Sequence, residues 1–106
     1  GYAKSNIEQC NYNANYSTQV YQPNAGDDVW VGINVPGQVC GQNFTQASIT
    51  IKDGDANTCH FYIYSTSGSL TQDCGNFDLG SEPLLITANI DYGTHTVEYS
   101  QVDYNT

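Results

Sequence analysis

Between positions 28 and 35 the chain alternates: Val29, Val31, Ile33 and Val35 fall to one side, Trp30, Gly32 and Asn34 to the other. That is the two-residue period of a strand with one face buried, and Pro36-Gly37 ends it. Positions 47–52 repeat the pattern with Ala47, Ile49 and Ile51 inward, and positions 58–65 do so with Cys59, Phe61 and Ile63. The cluster Asp53-Gly54-Asp55-Ala56-Asn57 between them is short and turn-forming, which predicts a hairpin. A second hairpin is predicted to join 84–90 to 94–102 through Asp91-Tyr92-Gly93, the glycine supplying the left-handed conformation of a tight loop. Positions 15–21 and 69–72 read as further strands. Strands spaced by about ten residues predict a single all-β domain over 1–106, an antiparallel β-sandwich or small β-barrel rather than a βαβ fold.

Composition strengthens this reading. Val, Ile and Thr supply 24 residues and Ala, Leu and Met only ten, a bias toward pleated backbone. The 106 residues suffice for one modest core. The formal charge is -9 and Arg is absent, which excludes electrostatic capture of nucleic acid or of an anionic membrane surface. The longest aliphatic run, Leu84-Leu85-Ile86, is far too short for a bilayer-spanning helix. Positions 1–10 hold no apolar targeting core, as expected of a mature chain. Asn, Gln, Ser and Thr together make 37 residues. With four Cys, nine Tyr and no Met, this points to a secreted, extracellular protein.

Four cysteines allow three pairings. The chain after 59–64 turns at Ser67-Gly68-Ser69 before reaching Cys74, so Cys59–Cys74 can staple a local return, leaving Cys10–Cys40. No Cys-x-x-Cys spacing is present, which favours structural disulfides over metal or redox chemistry.

Candidate chemistry is sparse. In length, acidity, cysteine count and Tyr content the chain resembles the small acidic fungal ribonucleases. Phosphodiester cleavage, however, requires an acid, a base and a cation on the developing charge. Arg is missing, and His95 and Glu98, three apart on one predicted strand, face opposite sides. Asp27, Asp28, Asp53, Asp55 and Asp91 sit in turn-like sequence, where carboxylates usually bond their own backbone. The alternation Asp53-x-Asp55-x-Asn57 matches the first three ligands of a calcium loop, but the twelfth position is Tyr64, not an acid. His60 and His95 lack metal-ligand spacing and read as solvated strand residues. No catalytic residue, metal or cofactor is assigned, so the chain is not expected to be an enzyme. Asn15-Tyr16-Ser17 and Asn43-Phe44-Thr45 are glycosylation sequons.

The aromatic residues are more informative. Opposite Phe61 and Ile63 stand His60, Tyr62 and Tyr64. One account is a central strand burying rings on both faces. The other is a binding or homodimer face, since an aromatic patch left in water usually marks one.

The order Cys10…Cys40…Cys59…Cys74, with Thr58-Cys59-His60-Phe61-Tyr62-Ile63-Tyr64 leading through Ser-Gly-Ser to Gln72-Asp73-Cys74-Gly75, resembles the small secreted cysteine-containing proteins of plant-associated filamentous fungi. It is particularly similar to the hypersensitive-response-inducing elicitors. The resemblance covers about Cys10 to Val102 and rests on cysteine spacing, strand pattern and composition. It implies a non-catalytic, disulfide-bonded all-β protein perceived by a plant surface receptor or acting at a cell-wall component, in some members as a homodimer. The alternative is a carbohydrate-binding or lectin-like domain for cell-wall polysaccharide, with Trp30, Tyr62 and Tyr64 stacking on sugar rings.

Overall fold

A computed structural model describes residues 2–5, 16–24, 26–55, 57–75, 77 and 83–104. They form ten strands: β1 (Tyr2–Ser5), β2 (Ser17–Tyr21), β3 (Val29–Asn34), β4 (Gln38–Val39), β5 (Gln42–Asn43), β6 (Gln46–Lys52), β7 (Thr58–Ile63), β8 (Ser67–Gln72), β9 (Pro83–Tyr92) and β10 (His95–Tyr104). The described residues contain no helix. One sheet has the order β1-β10-β9-β6-β7, a second β2-β3-β8, and β4 and β5 form a ribbon. Every ladder is antiparallel.

The sheets stay open, so the small-barrel expectation is corrected. Barrel closure would require the end strands to pair with each other, yet among the described residues β7 has a ladder only with β6 and β1 only with β10. The inward residues do meet in one core. Val29, Val31 and Ile33 of β3 join Ile49, Ile51, Phe61, Ile86, Ile90 and Val97 of the larger sheet. The alternation read from the sequence on β3, β6 and β7 therefore sorts residues as expected, apolar positions buried and intervening ones less so, Gly32 excepted. Tyr16, Tyr92 and Tyr99 are also buried, which turns part of the Tyr enrichment into core material.

The β9–β10 hairpin is longer than expected. Asp91 and Tyr92 continue β9, and only Gly93-Thr94 form the loop. Gly93 has φ +63° and Thr94 is not in the left-handed region, the signature of a type II′ turn, which matches the twist of the flanking strands. Tyr92 extends the strand because its side chain is fully buried, with its hydroxyl donating to Pro36 O at 2.8 Å. The β4–β5 ribbon turns through Cys40 and Gly41, with φ +54° and +77°, a type I′ geometry that a non-glycine residue enters at some cost.

Cys59 and Cys74 are bonded, with Cα atoms 5.8 Å apart. The pairing is as expected, but its setting differs. The bend falls at Ser65-Thr66, and Ser67, Gly68 and Ser69 belong to β8. Since β7 and β8 lie in different sheets, the bridge ties one sheet to the chain leaving the other. Cys10 lies outside the described residues, and with it the Cys10–Cys40 pairing; none of the described cysteines is free.

Candidate functional site

Two aromatic surfaces stand out, on different sheets. The first is on β7, an end strand of the five-stranded sheet, so the account of a central strand buried on both faces does not hold. Cys59, Phe61 and Ile63 turn inward, while His60 and Tyr62 are exposed and Tyr64, just past the strand, is 70% exposed. The His60 and Tyr62 rings meet edge to face, with centroids 4.8 Å apart. Register brings Thr50 of β6 opposite His60 and Ser48 opposite Tyr62. His60 Nδ1 lies 2.9 Å from Thr50 Oγ1 and its Nε2 3.3 Å from Ser48 Oγ. Both ring nitrogens are thus occupied by hydroxyls, and the imidazole is oriented as a wall for Tyr62. His60 is thus an exposed strand residue whose ring nitrogens meet hydroxyls of β6.

The second surface is the outer face of the three-stranded sheet. Trp30 of β3 is flanked in register by Tyr21 on β2 and Thr71 on β8; two residues along the strand, Gly32 is flanked by Gln19 and Ser69. Asn34 follows, between Ser17 and Ser67. The Trp30 side chain leans along the strand so that its distal ring edge covers Gly32. A Cβ at that glycine would stand 2.6 Å from Trp30 Cη2. Gly32 is consequently buried on a face that is otherwise open to water. A cleft of about 400 Å³ lies on one side of the indole, lined by Gln19, Asn34, Ser67 and Ser69 among others. Another of about 590 Å³ lies on the other, lined by Tyr21, Pro23, Asp27, Asp28 and Thr71 among others. Trp30 therefore stands on a different sheet from His60 and Tyr62, although the sugar-binding alternative grouped it with Tyr62 and Tyr64.

The acids divide by role. Asp53 is buried, and its Oδ1 accepts from the backbone N–H groups of Asp55 and Asn57, both at 2.9 Å, while Oδ2 accepts from Asn57 Nδ2 at 3.0 Å. Both oxygens are committed to the β6–β7 turn, which answers the calcium-loop pattern Asp53-x-Asp55-x-Asn57 with a turn-locking carboxylate. Asp91 is corrected from turn to strand: its Oδ1 accepts from Thr96 Oγ1 at 3.1 Å and its Oδ2 from Gln46 Nε2 at 3.3 Å. Asp27 accepts from Asn24 Nδ2 at 3.1 Å within its own loop. On β10, Glu98 is exposed between buried Val97 and Tyr99, and His95 alternates with it, so the two point to opposite sides as expected. Among the described residues no group of three His, Cys, Asp or Glu side chains converges for a metal. Asn43 is exposed on β5 and its Oδ1 accepts from Gln38 Nε2 at 2.7 Å; Asn15 lies outside the described residues.

Sequence reasoning missed Tyr21, Gln19 and Ser69 as neighbours of Trp30. The alternation that put Trp30 outward also puts Ser17, Gln19 and Tyr21 on one side of β2, but the long connection from 22 to 28 hides the register between β2 and β3. It also missed Leu85 and Val102, which are directly paired across β9 and β10 and are 43% and 55% exposed. No protein-family model, no curated protein and no solved structure matches this chain.

Proposed function

We propose that the chain is a secreted recognition protein of the fungal elicitor type, acting by binding and perceived at the plant cell surface, with no turnover. The observation that carries this is the His60–Tyr62–Tyr64 surface. Aromatic rings are held in fixed geometry on an end strand, outside the core and open to a partner. A disulfide fits an oxidising compartment. In the same reading the two sheets are the layers of a sandwich sharing one core, and Cys10–Cys40 is the second bridge, which peptide mapping without reduction checks directly.

Leaf infiltration tests the function. Tyr62→Ala with Tyr64→Ala should reduce the defence response at least tenfold, while His95→Ala and Glu98→Ala leave it within a few-fold. Loss of response in His95→Ala or Glu98→Ala, with native circular dichroism and thermal midpoint, would sink the binding-only reading.

A further inference from the structure

We propose that the outer face of the three-stranded sheet is a binding site for a neutral glycan chain, centred on Trp30. The inference accepts a secreted recognition protein but not the β7 surface, and it moves the carbohydrate reading from Tyr62 and Tyr64 to a different sheet.

Sugar rings present two kinds of surface: faces of C–H bonds that pack on aromatic rings, and a rim of hydroxyls that exchange hydrogen bonds with amides, hydroxyls and carboxylates. The Trp30 face offers both in register. The indole stands between two open clefts and walls both of them. Gln19, Asn34, Ser67 and Ser69 supply amides and hydroxyls on one side, and Thr71 and Asp28 supply a hydroxyl and a carboxylate on the other. Tyr21, 59% exposed and directly opposite Trp30, extends the aromatic surface across to β2. Apart from Asp28, which stands just before β3, these polar side chains project from three hydrogen-bonded strands, so the positions of their Cβ atoms are fixed before a ligand arrives.

Gly32 has a specific part in this arrangement. Any side chain there would lift the indole from its seat, and the ring would no longer separate the two clefts. The chemistry of the ligand follows from charge. Asp27 and Asp28 line the second cleft and the chain carries -9 overall with no Arg, so acidic polysaccharides and other polyanions are repelled. Among the described residues the face exposes hydroxyls and amides, and its aliphatic lining is confined to Pro23 and the buried Ile33, too little to anchor an apolar peptide. An uncharged chain with residues on both sides of the indole satisfies both constraints.

Affinity electrophoresis and calorimetry with β-1,3-glucan, cello-, and chito-oligosaccharides, and with polygalacturonate as the acidic control, test the site. The intact protein should bind at least one neutral chain and not polygalacturonate. Trp30→Ala should weaken binding at least tenfold, Trp30→Phe should restore part of it, and Gln19→Ala, at an exposed position, should weaken it several-fold. Tyr62→Ala with Tyr64→Ala should leave it within twofold. Absence of binding to every neutral chain overturns the inference, as does preference for polygalacturonate. If Tyr62→Ala with Tyr64→Ala abolishes binding and Trp30→Ala does not, glycan recognition stands and this site falls. The elicitor reading fails separately, by a leaf response that survives Tyr62→Ala with Tyr64→Ala.

Discussion

Tyr92 shows how much a single side chain decides in this fold. It is fully buried, packs edge to face on Phe44 with centroids 6.0 Å apart, and donates to Pro36 O. It thereby fixes the chain after β3 against the end of β9. Burial holds its phenol well above the ordinary tyrosine range, and the charge and hydrogen bond of neighbouring Tyr16 push it the same way. In the unfolded chain the same proton leaves at about pH 10. The folded state then binds more protons than the unfolded one, so stability falls as pH rises above about 10 and is unaffected by this group below that. The urea midpoint should decline from about pH 10 upward, and Tyr92→Phe should make the decline shallower. The same substitution leaves Pro36 O without its donor and should cost about 1–3 kcal/mol at neutral pH. A midpoint as steep in the variant as in the parent would show that other tyrosines set the alkaline limit.

Among the elements, the strands with clean alternation were the legible ones. Val29, Val31 and Ile33, Ala47, Ile49 and Ile51, and Cys59, Phe61 and Ile63 all lie on the buried side that their spacing indicates, because a sheet with one buried face transmits its environment directly into a period of two. The ribbon of β4 and β5 was not legible: two residues per strand carry no period, and its turn uses Cys40 rather than the Asn or Asp usual in that geometry. Sheet membership was also out of reach. Nothing local distinguishes a β7–β8 return that pairs from one that crosses between sheets, since both need a short bend and a strand. That distinction changes what Cys59–Cys74 does. Closing a loop of 15 residues is worth about 3 kcal/mol in the chain-entropy model, and here the loop spans two sheets. Cys59→Ala with Cys74→Ala should lower stability by about 2–4 kcal/mol. It should also raise hydrogen exchange in β8 more than in β9 and β10, whose mutual ladder is independent of the bridge. Uniform exchange would argue that the bridge does not link separable parts.

At the scale of the molecule, surface and charge oppose each other. A homodimer through the exposed rings beside β6 would need that patch to be self-complementary, as a two-fold contact requires, and the net charge of -9 on 106 residues opposes it. Repulsion reaches about 30 Å at 0.01 M salt and about 8 Å at physiological salt. Light scattering should therefore give a mass near 11.6 kDa at low salt and rise toward twice that as salt is added at high protein concentration. Tyr62→Ala with Tyr64→Ala should flatten the rise. A constant monomer mass at every salt concentration would reserve the β7 surface for a different partner. The outward aromatic side of β7 was thus readable in the sequence. The separation of Trp30 from it was not, because that depends on which strands share a sheet.

The β9–β10 hairpin also bears on the order in which the chain assembles. Its two ten-residue strands are joined by two residues, so its contacts require little loop closure, whereas β1 must find β10, and β3 must find β8, across long stretches of chain. The hairpin is the natural nucleus, and its turn is the first decision. Gly93→Ala places a side chain at φ +63°, where an L-residue costs about 1–2 kcal/mol, and moves Gln42 aside. If the turn is already formed at the folding barrier, that cost appears in the refolding rate, slowed by about fivefold or more, with unfolding almost unchanged. Gly93 would then govern how long the strands that carry the exposed rings stay open to water before the core covers them.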